Sequence, residues 1–255
     1  MSAMLTDDLK LSLPGRIENP GAGWTWIVEG WQLFAKAPLM WIVALVLLFI
    51  IVVVLSFIPV IGQLAFQVLT PVFSAGLVVA CRSIERGEGF ELEHIFAGFR
   101  TRFGNLVIVG LLSMLGWILV FLVFAMFAGF SILTAMLAGN TDNMIVALSA
   151  SGMTILLGTL VAMALSVPLV AAYWFAPALV VMHDMPPIAA MKASFFGCLR
   201  NFVPFLVYGI VLMVLIFLAA LPVFLGYFIL IPVMITSTYA AYRRIFTDGG
   251  VVVPA

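Results

Sequence analysis

Apolar residues run along this chain in long unbroken stretches, separated by short mixed ones. A bilayer-crossing helix needs ~20 predominantly apolar residues, and six stretches reach that length. The spans are expected at residues 40–58, 61–81, 106–130, 153–182, 203–221 and 223–242. The second is entered through a Pro59/Gly62 turn, and Leu221-Pro222 separates the last two. Residues 144–182 are continuously apolar and would make roughly 58 Å of helix at 1.5 Å per residue. That is nearly twice the ~30 Å hydrocarbon core. The stretch must therefore break or lie partly in the interface. Ser149, Ser151 and Gly152 are its weakest helical point, and Pro168 or Pro177 should kink the span. Before spans one, three and five the period changes to that of an amphipathic helix. In residues 24–36, Trp24, Ile27, Val28, Trp31 and Phe34 share a face, with Thr25, Glu29, Gln32 and Lys36 opposite. In 91–103, Leu92, Ile95, Phe96, Phe99 and Phe103 repeat that spacing. In 188–202, Ile188, Met191, Phe195, Leu199 and Phe202 do so again. These segments read as interfacial helices, their aromatic side toward lipid or toward the bundle. Trp24, Trp31, Phe96, Phe99 and Phe195 are the expected interfacial anchors.

Each interfacial segment ends in a basic residue and a breaker (Lys36/Pro38, Arg102/Gly104, Arg200/Pro204) and is followed by two spans. The even spans each carry a proline followed by small or hydroxyl residues, at Pro71, Pro168 and Pro232. The expected fold class is thus an all-α polytopic transmembrane bundle of six spans plus amphipathic interfacial helices. It is read as three parallel tandem hairpin repeats at 24–86, 90–184 and 188–246. Residues 1–23 form an N-terminal tail, 24–246 the membrane domain and 247–255 a C-terminal tail.

Composition agrees: 65% of the 255 residues are hydrophobic and 9% charged, and mean hydropathy is +1.28. Soluble domains carry about 25% charged residues, so a soluble enzyme, a disordered chain and a nucleic-acid binder are excluded. Continuous rather than alternating apolar runs exclude an outer-membrane barrel. The formal net charge is zero, but its distribution is not even. With six spans, all eleven Lys and Arg fall on the side that receives both termini, and Asp142 is the lone charge opposite. The positive-inside rule then places both termini in the cytoplasm. The first 23 residues have no apolar core of a signal peptide, so none is expected. Cys81 and Cys198 then lie at cytoplasmic membrane ends, where thiols stay reduced.

Candidate chemistry is sparse. No ionisable residue is expected well inside a span, which argues against a proton relay or voltage sensor. Gln63, Gln67, Thr70, Thr159, Ser166 and Thr236 are the candidate polar lining of a path for a neutral solute. Hydrogen bonding between helices and repair of proline kinks is the favoured alternative. Glu85, Glu88, Glu91 and Glu93 read as a solvated run paired with Arg82 and Arg86. His94 and His183 lack the spacing of a metal site or catalytic pair, although His94 with Glu91 is the nearest approach to one. No nucleotide-binding or nucleophile-elbow motif occurs. No catalytic residue, metal or cofactor is expected.

The string Gly23-Trp24-x-Trp26-Ile27-x-x-Gly30-Trp31-x-Leu33-Phe34-x-x-x-Pro38-x-x-Trp41 is distinctive, as are Ser74-Ala75-Gly76-Leu77 and His94-Ile95-Phe96-Ala97-Gly98-Phe99-Arg100. Over most of the chain they resemble a family of uncharacterised proteobacterial inner-membrane proteins. More distantly, the layout resembles the membrane domain of bacterial glycerophosphodiester phosphodiesterases, without their catalytic domain. The first resemblance implies a bacterial inner (plasma) membrane and six helices, and it implies no activity. Three roles stay open. The favoured one is a non-enzymatic protein that organises or assists a membrane-protein partner or acts on the bilayer. The others are a small permease for a neutral or lipophilic solute and a lipid-acting membrane enzyme. The expected partners are the lipid bilayer and a membrane protein, with no nucleic acid.

Overall fold

Proline, glycine and apolar run length set the boundaries of the elements. The computed structural model describes residues 9–137 and 141–248, and every regular element among these is helical. In chain order they are α1 (Ala22–Lys36), α2 (Pro38–Ser56) and α3 (Ile61–Glu85), then a 3-10 turn (Leu92–Phe96) running into α4 (Ala97–Arg100). Next come α5 (Phe103–Leu137), α6 (Thr141–Trp174), α7 (Ala176–His183), α8 (Pro187–Arg200), α9 (Phe202–Ala220) and α10 (Tyr227–Phe246). Pro38 opens α2 at a position where a missing N–H costs nothing. Pro177 sits in the first turn of α7, and the chain breaks just before it at Phe175. The Phe175 N–H donates instead to Ser194 Oγ of α8, at 2.9 Å. Pro168 is carried inside α6.

Among the described residues, five stretches are long and apolar enough to cross a bilayer: Pro38–Ser56, Ile61–Glu85, Phe103–Phe130, Gly152–His183 and Phe202–Ala220. They correspond to the first five expected spans. The sixth differs. Residues 221–226 form a turn in which Val223 and Phe224 take positive φ. Helix α10 then carries Thr236, Ser237, Thr238, Arg243 and Arg244 and is enclosed along most of its length. Helices α2 and α9 are apolar all round and turn side chains such as Phe49, Val54, Met213 and Phe217 outward. Such helices suit a lipid surround.

The chain divides into two units, one of Met1–Gly110 with Ala172–Ala255, the other Leu111–Ala171. The second is a helical pair from α5 and α6. A side chain at Gly116 would meet Leu169, and one at Gly158 would meet Phe127. Since the contact moves forward along one helix as it moves back along the other, the pair is antiparallel.

In the first unit α1 is the keystone. Its Gly23 lies against the backbone of Pro204 and Tyr208 in α9, and its Gly30 against the backbone of Ser237 in α10. Two turns separate these glycines, so one helix face docks on both partners. Trp26 and Leu33 fill the same interface, each 0% exposed. The buried side of α1 extends beyond the expected apolar face to include Glu29, which was expected opposite it. The buried side of α1 holds Trp26, Ile27, Glu29, Gly30, Leu33 and Phe34, while Trp24 and Trp31 remain half exposed. Residues 91–103 are not one amphipathic helix. Their 3-10 turn and α4 press onto α3, where Gly76 meets the Ile95 carbonyl and Gly98 meets that of Val72. Helix α8 forms as expected, but its small residues Ala190, Ala193, Ser194 and Gly197 face inward. Ile188, Leu199 and neighbouring Phe202 face outward.

Candidate functional site

Helices α3 and α10 run past their expected ends at residues 81 and 242, to Glu85 and Phe246. Arg82, Glu85, Arg243 and Arg244 therefore stand on helices rather than in loops. Glu85 is buried, its side chain 3% exposed. Its Oε1 accepts from Arg243 Nε at 3.0 Å and Nη2 at 2.9 Å. Its Oε2 accepts from Arg82 Nη1 at 2.9 Å and the Tyr239 hydroxyl at 2.5 Å. An ionised carboxylate offers about four acceptor sites, and all are taken. Glu85 is thus a clamp between the ends of α3 and α10 and has no lone pair left for a substrate proton. This corrects the solvated reading for Glu85; Glu88 and Glu93 do form exposed pairs, with Arg86 and Arg100.

The clamp extends outward. Arg243 Nη1 donates to Thr247 at 2.8 Å. Arg244 Nε donates to Glu29 of α1 at 2.9 Å, and Arg244 Nη1 lies 3.6 Å from Glu18 Oε2. Residues 12–18 of the expected N-terminal tail strap across the end of α10. The Ser12 N–H donates to the Phe246 carbonyl at 2.8 Å and the Arg16 N–H to the Ile245 carbonyl at 2.7 Å. Buried Asn201 accepts the Glu18 N–H at 2.8 Å and donates to the Arg16 and Gly197 carbonyls, each at 2.9 Å. Buried carboxylates and guanidiniums are tolerated when paired this fully.

The two histidines go to structure as well. His94 Nδ1 accepts the Glu91 N–H at 3.1 Å, and the Glu91 side chain accepts a backbone N–H in return. This capping box starts the 3-10 turn, and it is where the Glu91–His94 approach is used. His183 Nε2 shares a 2.7 Å hydrogen bond with the Tyr242 hydroxyl. Among the described residues no three His, Cys, Asp or Glu gather as a metal site.

The candidate path residues are placed as follows. Gln63 is exposed and Gln67 half-buried on α3. Thr70 donates to the Phe66 carbonyl at 2.8 Å, and on α6 Thr159 donates to Ile155 and Ser166 to Met163. Thr236 is fully buried and donates to the Gly30 carbonyl of α1 at 2.8 Å. Each of these four hydroxyls has a donor bond to a helix carbonyl. Of the expected anchors, Phe96 is partly buried beside Phe73, and Phe99 lies 5.2 Å from Phe73 by ring centroid. Phe195 is half-buried against Phe196. Cys81 is fully buried. Burial pushes the Cys198 thiol up to about 12.

Beneath α1, a groove of about 510 Å³ opens between α9 and α10. Trp24, Ile27, Val28 and Trp31 of α1 face into it. Helix α1 therefore has Glu29 toward the charged clamp and its two exposed tryptophans toward an apolar trough. Sequence reasoning missed both Glu29 and Glu85 as buried groups. The available signal was the Arg82–Glu85 spacing of i, i+3 on a helix continuing through the span.

A helical architecture with five such stretches, two of them apolar on every side, defines a multi-pass membrane protein. The chain is 33% identical over 224 residues to a probable inner membrane protein of Burkholderia thailandensis, covering 86% of this chain and 80% of the relative. It belongs to that family of inner-membrane proteins. No family model matches it, and no solved structure does.

Proposed function

We propose that the protein is a non-enzymatic organiser of the inner membrane that assists a membrane-protein partner, built on six spans with both termini in the cytoplasm. The observation that carries this reading is the use of the buried charges. Glu85, Arg82 and Arg243 hold helix ends together, Glu29 and Arg244 hold α1 to α10, and Glu91 and His94 cap a turn. The side chains best suited to chemistry are spent on rigidity, which counts against the lipid-acting enzyme. The permease reading is weakened because Thr70, Thr159, Ser166 and Thr236 donate to helix carbonyls rather than into a polar cavity. The distant likeness to phosphodiesterase membrane domains adds no support.

Three tandem repeats fit this reading, and packing supports them. The even span of the first repeat meets the second interfacial segment at Gly76–Ile95. The even span of the second meets α8 at Phe175–Ser194. That of the third returns to the first repeat at Ser237–Gly30. Each hairpin thus docks on the next interfacial segment, and the third closes on the first. Arg82 and Arg243 stand equally far beyond Pro71 and Pro232, and both grip Glu85.

Topology is tested by thiol labelling. Cys81 is buried and the Cys198 thiol is raised to about 12, so both should resist a maleimide at pH 7, because the thiolate is the nucleophile. An Asn140→Cys variant, at a position outside the described residues, should then label from outside intact spheroplasts. Protection of that cysteine would reject six spans, and a reporter at either terminus that reads periplasmic would reject the orientation. The role is tested by extraction into native-lipid nanodiscs and mass spectrometry. A stoichiometric co-purifying membrane protein is expected. A small solute in its place, with flux in liposomes, would overturn the organising role in favour of a permease.

A further inference from the structure

The groove beneath α1 is apolar throughout. Its walls are α9 residues such as Leu218 and α10 residues such as Ile229 and Val233, and its roof is the Trp24/Trp31 face of α1. The two indole N–H groups are the only polar side-chain atoms among its lining residues. They sit on one face of α1, two turns apart. The groove is continuous with the outward apolar surface of α9, where Leu218 and Phe217 are 50% and 66% exposed. Helix α9 is one of the five membrane-crossing candidates, so the groove opens onto hydrocarbon. The molecules of that phase are the acyl chains of membrane lipids, and no charged or hydroxyl side chain lines the groove to select another occupant. A single acyl chain is one methylene wide and can fill the trough along its length.

We propose that this groove binds one acyl chain of a membrane phospholipid, seated between α9 and α10 beneath α1, with the Trp24 and Trp31 indoles at its polar end. Lipid tails are as apolar as leucine, so no hydrophobic gain separates this site from the bulk bilayer. Retention comes from the contacts of an enclosed chain and from indole N–H donation toward the lipid's ester and phosphate oxygens, the level that tryptophan favours. The inference needs only a membrane-embedded α9 and holds whichever role the protein plays.

The test uses the full-length protein in nanodiscs containing phosphatidylethanolamine with a diazirine on one acyl chain. After photolysis, cross-linked peptides are mapped by mass spectrometry. Label is expected on the groove-lining parts of α9 and α10 above the level on the outer face of α2, at Phe49 and Val54, which reports bulk lipid. Filling the groove with Val28→Trp and Leu218→Trp should lower groove label about tenfold, the change produced by ~1.4 kcal/mol of lost binding, and leave α2 label unchanged. Leu218 is half exposed, so the single Leu218→Trp variant keeps the core intact and should lower groove label part of the way. Groove label no higher than α2 label, groove label that survives filling, or a protein cross-linked in the groove would each overturn the proposal.

Discussion

Replacing Glu85 by alanine should destabilise the protein by about 3–5 kcal/mol, the cost of leaving a buried ion pair with one partner removed. Two guanidiniums, Arg82 and Arg243, would then lie in an enclosed space with no carboxylate between them. The Tyr239 hydroxyl, which is buried, would lose its acceptor as well. Glu85→Gln should fall between, because the amide oxygen still accepts but the charge is gone. Tyr239→Phe removes one hydrogen bond and should cost about 1 kcal/mol. The informative variant is the triple Arg82→Met/Glu85→Leu/Arg243→Met. Apolar replacement of a complete buried ionic group is often neutral, so this variant should recover most of the stability lost in Glu85→Ala. Fluorescence-detected size exclusion after a temperature series in detergent gives the order. If Glu85→Ala is within ~0.5 kcal/mol of the wild type, as ordinary surface changes are, Glu85 is no clamp.

The bilayer-crossing helices were legible because a membrane span is written locally, as about 20 apolar residues in a row. Each of the first five stretches is read correctly to within a turn or two. The interfacial segments were legible in position but not in facing. Periodicity gathers Trp24, Ile27, Val28, Trp31 and Phe34 on one side of α1, yet the helix has neighbours on two sides. Gly23 and Gly30 permit backbone contact with α9 and α10 on a face that hydrophobicity does not mark. Helix α8 makes the same point, for its small residues pack inward while its large apolar ones face out. In a membrane protein close approach is set by small side chains, since lipid already satisfies the large apolar ones.

The clamp was hidden for a different reason. Arg243 and Glu85 are far apart in sequence, and nothing local pairs them. Glu85 precedes a run of acids at Glu88, Glu91 and Glu93 and reads with them as a loop. What separates it from them is the end of α3. Glu85 is the last residue of the helix, one turn beyond Arg82, whereas Glu88 follows the turn at positive-φ Gly87. The third interfacial segment, the strap at residues 12–18 and the ends of α3 and α10 meet around Asn201 and the clamp. This end of the first unit is thus tied by polar bonds, whereas the outer faces of α2 and α9 are almost wholly apolar. The division follows solvent: hydrogen bonds and ion pairs hold the end where burial is by protein, and apolar surface faces the lipid.

Gly30→Ala should be strongly damaging, although it adds only one methyl in the middle of α1. A Cβ at that position would stand 2.6 Å from the Ser237 nitrogen, 2.7 Å from its Cα and 2.8 Å from its Cβ. Backbone cannot swing aside as a side chain can, so α1 must move off α10. That movement stretches the Thr236–Gly30 hydrogen bond of 2.8 Å and the Glu29–Arg244 pair. Overpacking of a fitted core costs about 1–3 kcal/mol, and a broken hydrogen bond to a charged group about 1.5–3 more. A loss of about 3 kcal/mol or more is therefore expected, seen as aggregation or a lowered thermal midpoint in detergent. Gly209→Ala is the control: nothing lies within 4 Å of its Cβ on the exposed side of α9, and alanine favours helix by up to ~1 kcal/mol. That variant should match or slightly exceed the wild type. Adding Ser237→Gly to Gly30→Ala should not rescue, because the backbone contacts at 2.6 and 2.7 Å remain and the Tyr208–Ser237 bond is lost. Rescue would mean that side chains rather than backbones set the crossing. A Gly30→Ala protein as stable as the wild type would show that α1 is not seated on α10 at all, and would remove the roof of the groove with it.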